Sequence, residues 1–235
     1  MIVDSYGSTH LGNIRSNNED SFLMDESLRL FCVADGIGSL AYGEVASRSA
    51  VHLLKNAAIG ADTLKMPLNF REVMLSVNES IMEIGEVVSP LEGIGTTLIA
   101  FQLFDNNANF VHSGDSRAYY FSGPTSKQIS TDQTIATQKK ENGIPESEIT
   151  SIDHHTLRSC MGLEPMFDPI YFSHSVEAKS CIILCSDGAS NYVSQEEMHQ
   201  IYQLGDPSQK IIEKIISLSL ERGGSDNITA VCVKF

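Results

Sequence analysis

Short apolar runs in this chain end repeatedly on an aspartate beside a glycine. Leu30 to Ala34 runs into Asp35-Gly36, Phe110 to Ser113 into Gly114-Asp115, and Cys181 to Ser186 into Asp187-Gly188. Gly223-Gly224-Ser225-Asp226-Asn227 leads into the last run, Ile228 to Phe235. Brief apolar stretches without polar alternation are strands buried on both faces. A carboxylate has no place inside such a strand, so each aspartate marks the point where the strand reaches the domain edge. The adjoining glycine lets the backbone turn sharply and approach a ligand closely. One such dipeptide is an ordinary turn. Repeated at strand ends, with Glu19-Asp20 as a further acidic pair, the pattern predicts that the acids converge.

Three helices separate these runs. The first is expected over about Gly43 to Ile59, with Ala46, Ala50, Leu53, Leu54 and Ala57 on one face. The second repeats Phe70, Val73, Met74, Val77, Ile81, Ile84 and Val88 at helical spacing, and Asn69 with Glu72 resembles a capping box. The third opens at Asp206-Pro207 with Gln209, runs through Ile211, Ile212, Ile215 and Ile216, and stops at Gly223-Gly224. Strand-like runs cover Arg29 to Ala34, Thr96 to Leu103, Asn109 to Ser113, Arg117 to Ser122, Cys181 to Ser186 and Ile228 to Phe235. Strands in blocks, with helices segregated from them, argue for an α+β layered fold rather than regular βαβ alternation. No Pro/Gly/Ser-rich linker divides the chain, so residues 1–235 are expected to form one domain.

Composition narrows the function classes. Thirty acidic against sixteen basic residues give a formal net charge of -14, which excludes nucleic acid and anionic membrane as partners. The beginning, MIVDSYGSTH, carries no apolar run and is not a secretory signal. No apolar run approaches the ~20 residues of a membrane helix. A soluble, cytoplasmic protein is expected. Of the five cysteines, all but Cys160 lie in strand-like runs, where the thiol behaves as a small hydrophobe. No Cys-x-x-Cys pair supports zinc or redox chemistry.

Converging carboxylates repel one another severely unless a cation lies between them, and oxygen-only ligands suit magnesium or manganese. Protein nucleophiles are missing: there is no Cys-x5-Arg loop, Gly-x-Ser-x-Gly elbow, Walker A loop or His-Glu-x-x-His. Gly36-Ile37-Gly38-Ser39-Leu40-Ala41 mimics a dinucleotide fingerprint, yet Asp35 before it would repel a pyrophosphate. Metal-activated water is the economical mechanism: two cations on shared aspartates lower the pKa of a water and clamp phosphoryl oxygens for in-line attack. Arg15 can hold the substrate phosphate by bidentate hydrogen bonding.

These segments resemble the metal-dependent protein phosphatases of type 2C, the PPM family. The resemblance rests on GNIRSNNEDSF at 12–22, VADGIG at 33–38, GIGTTL at 93–98, HSGDSRAY at 112–119, STDQT at 130–134, HTLRSCMG at 155–162, CSDGASNYV at 185–193 and GGSDNITAVCV at 223–233. They occur in the family's order and span nearly the whole chain. The resemblance implies a central sandwich of two antiparallel sheets flanked by helices, and a hydrolase acting on phosphoserine or phosphothreonine in signalling. It implies Asp35 as the carboxylate bridging two Mn2+ or Mg2+ ions, with Asp187 and Asp226 completing the first ion's ligands. The second would take Asp35, the carbonyl of Gly36 and, directly or through water, Glu19 or Asp20. Bacterial-type members often hold a third, weaker metal, whose ligands match Asp115 and Asp187. Arg15 matches the phosphate-binding arginine, and Asn227 is expected to orient Asp226. Gly95, Thr96 and Thr97 read as packing or turn residues.

Three departures from the pattern stand out. Ile37 occupies the place where some relatives carry a histidine proposed as the acid for the leaving alcohol, so metal-bound water is expected to supply that proton. Ser39 and Tyr42 replace glycines, and Gln133 replaces a histidine. His10, His112, His154 and His155 are given no catalytic role. Residues 138–157 match the family's variable flap, with a turn at Gly143-Ile144-Pro145. The expected partners are phosphorylated proteins, including targets of a serine/threonine kinase. The alternative from another class is a catalytically silent module of the same fold that binds phosphoproteins or a kinase.

Overall fold

The computed structural model describes residues 2–63 and 66–235. Among these residues ten strands form two antiparallel five-stranded sheets. In the first, β2 (Asp20–Asp25), β3 (Leu30–Asp35), β4 (Leu98–Phe104), β5 (Asn107–Ser113) and β8 (Ile170–Ser175) lie in that spatial order. In the second the order is β1 (Asp4–His10), β10 (Ile228–Lys234), β9 (Cys181–Cys185), β6 (Arg117–Ser122) and β7 (Thr125–Gln128). Helices α1 (Gly43–Thr63) and α2 (Phe70–Val88) follow β3, and α3 (Ile135–Glu141) and α4 (Ser151–His155) follow β7. The short α5 (Asp187–Ser190), then α6 (Gln195–Gln203) and α7 (Ser208–Glu221), separate β9 from β10. The expected α+β sandwich of two antiparallel sheets between helical layers is what the chain forms.

The apolar runs follow from this layering. On β3, Leu30, Cys32 and Ala34 pack with α1 and α2, while Phe31 and Val33 point between the sheets. On β9, Cys181, Ile183 and Cys185 face the α6–α7 side, and Ile182 and Leu184 face the other sheet. Central strands covered on both faces have no solvated position, which is why they read as unbroken. Between the sheets a row of rings crosses four strands: Phe31–Phe101 at 5.1 Å, Phe101–Phe110 at 5.2 Å and Phe110–Phe172 at 4.7 Å between centroids. Such cross-strand aromatic pairs fix register as well as burying area. All five cysteines are buried and free.

Helix boundaries show where local signals misled. Asn69 does precede α2, but its side chain makes no capping bond, so the expected capping box with Glu72 does not form. Complete capping boxes occur instead at Thr150/Asp153 on α4 and Ser194/Glu197 on α6. Residues 138–157, where a flap is expected, take in the end of α3, a single 3-10 turn at Glu146–Glu148 and α4. The dinucleotide-like glycines follow β3, whose neighbours β2 and β4 are both antiparallel. They therefore lack the parallel βαβ setting that a dinucleotide fingerprint requires.

Candidate active site

At one end of the sandwich, strand ends and loops from both sheets border an open cavity of about 720 Å3. Arg15, Asp35, Gly36, Asp115, Asp187 and Asp226 all line it. Acids separated by up to 191 positions in sequence are thus drawn to one place, as the strand-end pattern predicts.

Each acid arrives by its own local device. Asp35 is the last residue of β3, and its backbone is bracketed by two threonines. Its N–H donates to Thr97 Oγ1 at 3.0 Å, and its carbonyl accepts from Thr96 Oγ1 at 2.9 Å and from the Thr97 N–H at 2.8 Å. Thr97 also lines the cavity and pairs with Ser116 Oγ at 2.8 Å, so the threonines expected as packing residues clamp the central acid. Gly36 cannot be replaced without moving backbone: a Cβ there would collide with the Gly43 carbonyl. Asp115 sits on the β5–β6 turn, where Gly114 has φ +111. Gln133, a departure from the family's histidine, holds that turn by accepting from the Gly114 N–H at 2.9 Å.

Asp187 opens α5 directly after β9, and Asn191 Nδ2 donates to its Oδ2 at 3.2 Å. Asp226 lies in the loop before β10 and accepts from Arg15 Nη2 at 2.8 Å and from the Asn227 N–H at 2.8 Å. Asn227 therefore holds Asp226 through its backbone. Its side chain acts on the opposite strap, accepting from the Glu19 N–H at 2.8 Å and donating to the carbonyls of Leu11 at 2.9 Å and Asn17 at 3.0 Å. Those bonds tie down the segment that carries Arg15.

Glu19 and Asp20 part company. The Glu19 carboxylate lies against Gly38 and Gly43 beside Arg15, outside the cavity lining. Asp20 is turned inward: it faces Asp35 across the β2–β3 register and accepts from Ser186 Oγ at 2.9 Å and Thr229 Oγ1 at 2.6 Å. Its other oxygen, Oδ1, is buried without a donor among the described residues, while the Asp35 carboxyl lies within hydrogen-bonding reach. Two carboxyl groups so placed require a shared proton or cation.

The electrostatics carry the same message. Burial, reinforced by Asp20, Asp187, Asp115 and Asp226, pushes Asp35 well above the carboxylate range. Burial and the charge on Asp187 raise Asp115 to about 8, and burial raises Asp20 to about 7. Asp187 is raised by burial and then by Asp226. Among the described residues, no three His, Cys, Asp or Glu side chains are drawn into a closed metal cage. They face a shared space instead, with Asp226 turned to Arg15 and Asp187 to Asn191. An orphaned inward oxygen, mutual repulsion and an all-oxygen donor set fit a divalent cation of the magnesium or manganese kind.

Several lining residues escaped sequence reasoning. His155, at the end of α4, brings Nδ1 to 4.0 Å from Asp187 Oδ2, and Leu157 follows it into the cavity wall. Asn191 and Tyr192 enter from the end of α5. The motif CSDGASNYV contained the last two, but nothing in spacing alone separates a cavity residue from a helix end. His10, His112 and His154 lie outside the cavity lining. Burial lowers His112 to about 4.

The protein phosphatase 2C family profile matches residues 6–226. The serine/threonine protein phosphatase PstP of Mycobacterium tuberculosis is 34% identical over 226 residues, covering 94% of this chain and 42% of that protein. The chain thus spans less than half the length of that relative. The serine/threonine phosphatase stp of Listeria monocytogenes is 29% identical over 238 residues, covering 96% of this chain and 93% of that protein. A crystal structure of M. tuberculosis PstP superposes with a TM-score of 0.87 at 30% identity, over 100% of this chain and 99% of that one. A PstP catalytic domain in complex with two manganese ions gives 0.83 at 29% identity, over 99% and 98%. The matched profile runs from β1 to the Asp226 loop and takes in every acid of the cavity, so the chain belongs to the protein phosphatase 2C family.

Proposed function

We propose that this chain hydrolyses phosphoserine and phosphothreonine esters on proteins, using divalent cations held by the acids of the cavity. The observation that carries the reading is the meeting of Asp35, Asp115, Asp187 and Asp226 with Arg15 around one open space. Asp35, Asp187 and Asp226 would hold one cation, Asp35 and the Gly36 carbonyl a second, and Asp115 with Asp187 a weaker third. Glu19 or Asp20, directly or through water, would complete the second, and of the two Asp20 has the buried oxygen without a donor among the described residues. Bound there, Mn2+ or Mg2+ supplies Lewis acidity and generates a nucleophile from water at neutral pH.

The remaining work falls to the chain itself. Arg15 is 41% exposed at the cavity rim and bonded to Asp226 on one side, so part of its fork of donors is available for phosphate oxygens. The clamp of Thr96 and Thr97 on the Asp35 backbone keeps the central carboxylate from following its repulsion away from the others. Asn227 fixes the strap that aims Arg15. Ile37 offers no proton to the leaving alkoxide. We read residues 1–235 as one catalytic domain with a flap at about 138–157, acting in the cytoplasm on targets of a serine/threonine kinase. Among the described residues no helix is long and apolar enough to cross a membrane.

The test is turnover of p-nitrophenyl phosphate and of a phosphothreonine peptide with manganese, with and without chelator. Hydrolysis of both that vanishes on chelation is expected. Absence of turnover at saturating manganese overturns the reading and favours a silent binding module.

A further inference from the structure

Beside the catalytic cavity lies a second pocket of about 450 Å3, formed where the flap helices α3 and α4 meet Arg117 at the start of β6. The two pockets share a wall: His155 and Asn191 line both, and both approach the Asp187 carboxylate from it. A peptide whose phosphorylated residue sits over the acids therefore has a neighbouring residue within reach of the second pocket.

The chemistry of this pocket is opposite to that of its neighbour. The one acid in its lining, Asp132, is neutralised by Arg117, whose Nε and Nη2 donate to it at distances between 2.6 and 3.1 Å. Elsewhere in the lining Lys140 from α3 is a cation, and His154 from α4 and the hydroxyls of Thr137 and Ser151 can donate hydrogen bonds. In a chain of net charge -14 such a wall is unusual. It also already grips a carboxylate. Glu146, on the flap's 3-10 turn, places Oε2 at 3.1 Å from Lys140 Nζ and Oε1 at 3.9 Å from His154 Nε2. Glu146 is 68% exposed, and an ion pair so open to water exchanges for another anion at little cost.

We propose that this pocket is an anion subsite for the substrate peptide, taking a carboxylate or a second phosphate carried close to the phosphorylated residue, with Glu146 as the internal carboxylate it displaces. The proposal rests on the phosphatase reading above and names the substrate class that the same site selects.

The experiment compares kcat/KM for one phosphopeptide sequence carrying alanine, glutamate, lysine or a second phosphoserine at successive positions on either side of the phosphorylated residue. With manganese and the whole chain, one position is expected to favour glutamate or phosphoserine over alanine by about three- to tenfold, and to disfavour lysine. Unequal gains for glutamate and phosphoserine identify which anion the pocket takes. In Lys140→Gln the acidic-to-alanine ratio falls toward one, and in Glu146→Gln it rises above the wild-type ratio. Both side chains are exposed, so folding is not at risk. A wild-type ratio near one at every position overturns the subsite, as does a ratio that Lys140→Gln leaves intact or Glu146→Gln lowers. Those failures leave the phosphatase reading standing. If p-nitrophenyl phosphate and every peptide stay intact with saturating manganese, the phosphatase reading itself falls and the subsite with it.

Discussion

Replacing Asp20 with asparagine makes the cation-free protein more stable, increasingly so as the pH rises. Asp20 is buried, accepts from Ser186 and Thr229 through Oδ2, and leaves Oδ1 without a donor near the Asp35 carboxyl. An asparagine side chain keeps an oxygen for the two hydroxyls and offers its amide to Asp35. Burial raises the Asp20 carboxyl from 3.8 to about 7. Well below pH 3.8 the group is protonated in both folded and unfolded chains, and its contribution to stability is fully present. Between pH 3.8 and about 7 the unfolded chain releases a proton that the folded chain keeps. Stability then falls by about 1.36 kcal/mol per pH unit and levels off after a loss of about 4 kcal/mol. Urea unfolding in chelator, for wild type and Asp20→Asn, measures the difference directly. The variant's advantage is expected to widen by about 3 kcal/mol between pH 5 and pH 8. Manganese reverses the trend, because a cation bound only by the folded state stabilises the wild type more than the variant. An advantage equal at both pH values, or a variant less stable at each, would refute the claim that burial, with Oδ1 left without a donor, holds the Asp20 carboxyl protonated.

Other substitutions separate the roles assigned to the site. Asp187→Ala and Asp226→Ala abolish turnover while circular dichroism stays unchanged, since both side chains serve the cavity and neither packs in the core. Arg15→Ala raises KM for phosphopeptides by roughly tenfold or more, the value of one charge-assisted contact, with a smaller change in kcat; an unmoved KM contradicts its role. Asn227→Ala breaks the bonds to Leu11, Asn17 and Glu19. It should cost about 1–3 kcal/mol of stability and raise KM in the manner of the Arg15 variant, seen by denaturation and steady-state kinetics together.

The strands legible in the sequence are the central ones. β3, β4, β5, β6, β9 and β10 lie inside the sheets, covered by neighbours on both sides, and the apolar runs of the sequence coincide with them to within a few residues. The four that gave no clear apolar run are β1, β2, β7 and β8, and each is a sheet edge. An edge strand is half exposed, so DSYGSTH and TSKQ satisfy β-pairing without an apolar face. Acids at strand ends were legible for the same reason the central strands were: a charge closing a doubly buried run must lie at the rim. The inward turn of Asp20 was not, because Ser186 and Thr229, which receive it, lie 166 and 209 positions away. The bracket of Thr96 and Thr97 and the side-chain bonds of Asn227 are tertiary in the same sense. Nor does the spacing of residues 138–157 disclose that His155 borders the acid cavity while Lys140 and His154 line another pocket.

Anomalous diffraction at the manganese absorption edge, from crystals grown with the ion, tests the convergence of acids most directly. Two strong peaks are expected inside the cavity, both bonded to Asp35, one of them also to Asp187 and Asp226 and the other to the Gly36 carbonyl. Peaks confined to the outer surface, or a cavity without any while the acids stay turned toward Arg15 and Asn191, would contradict the account.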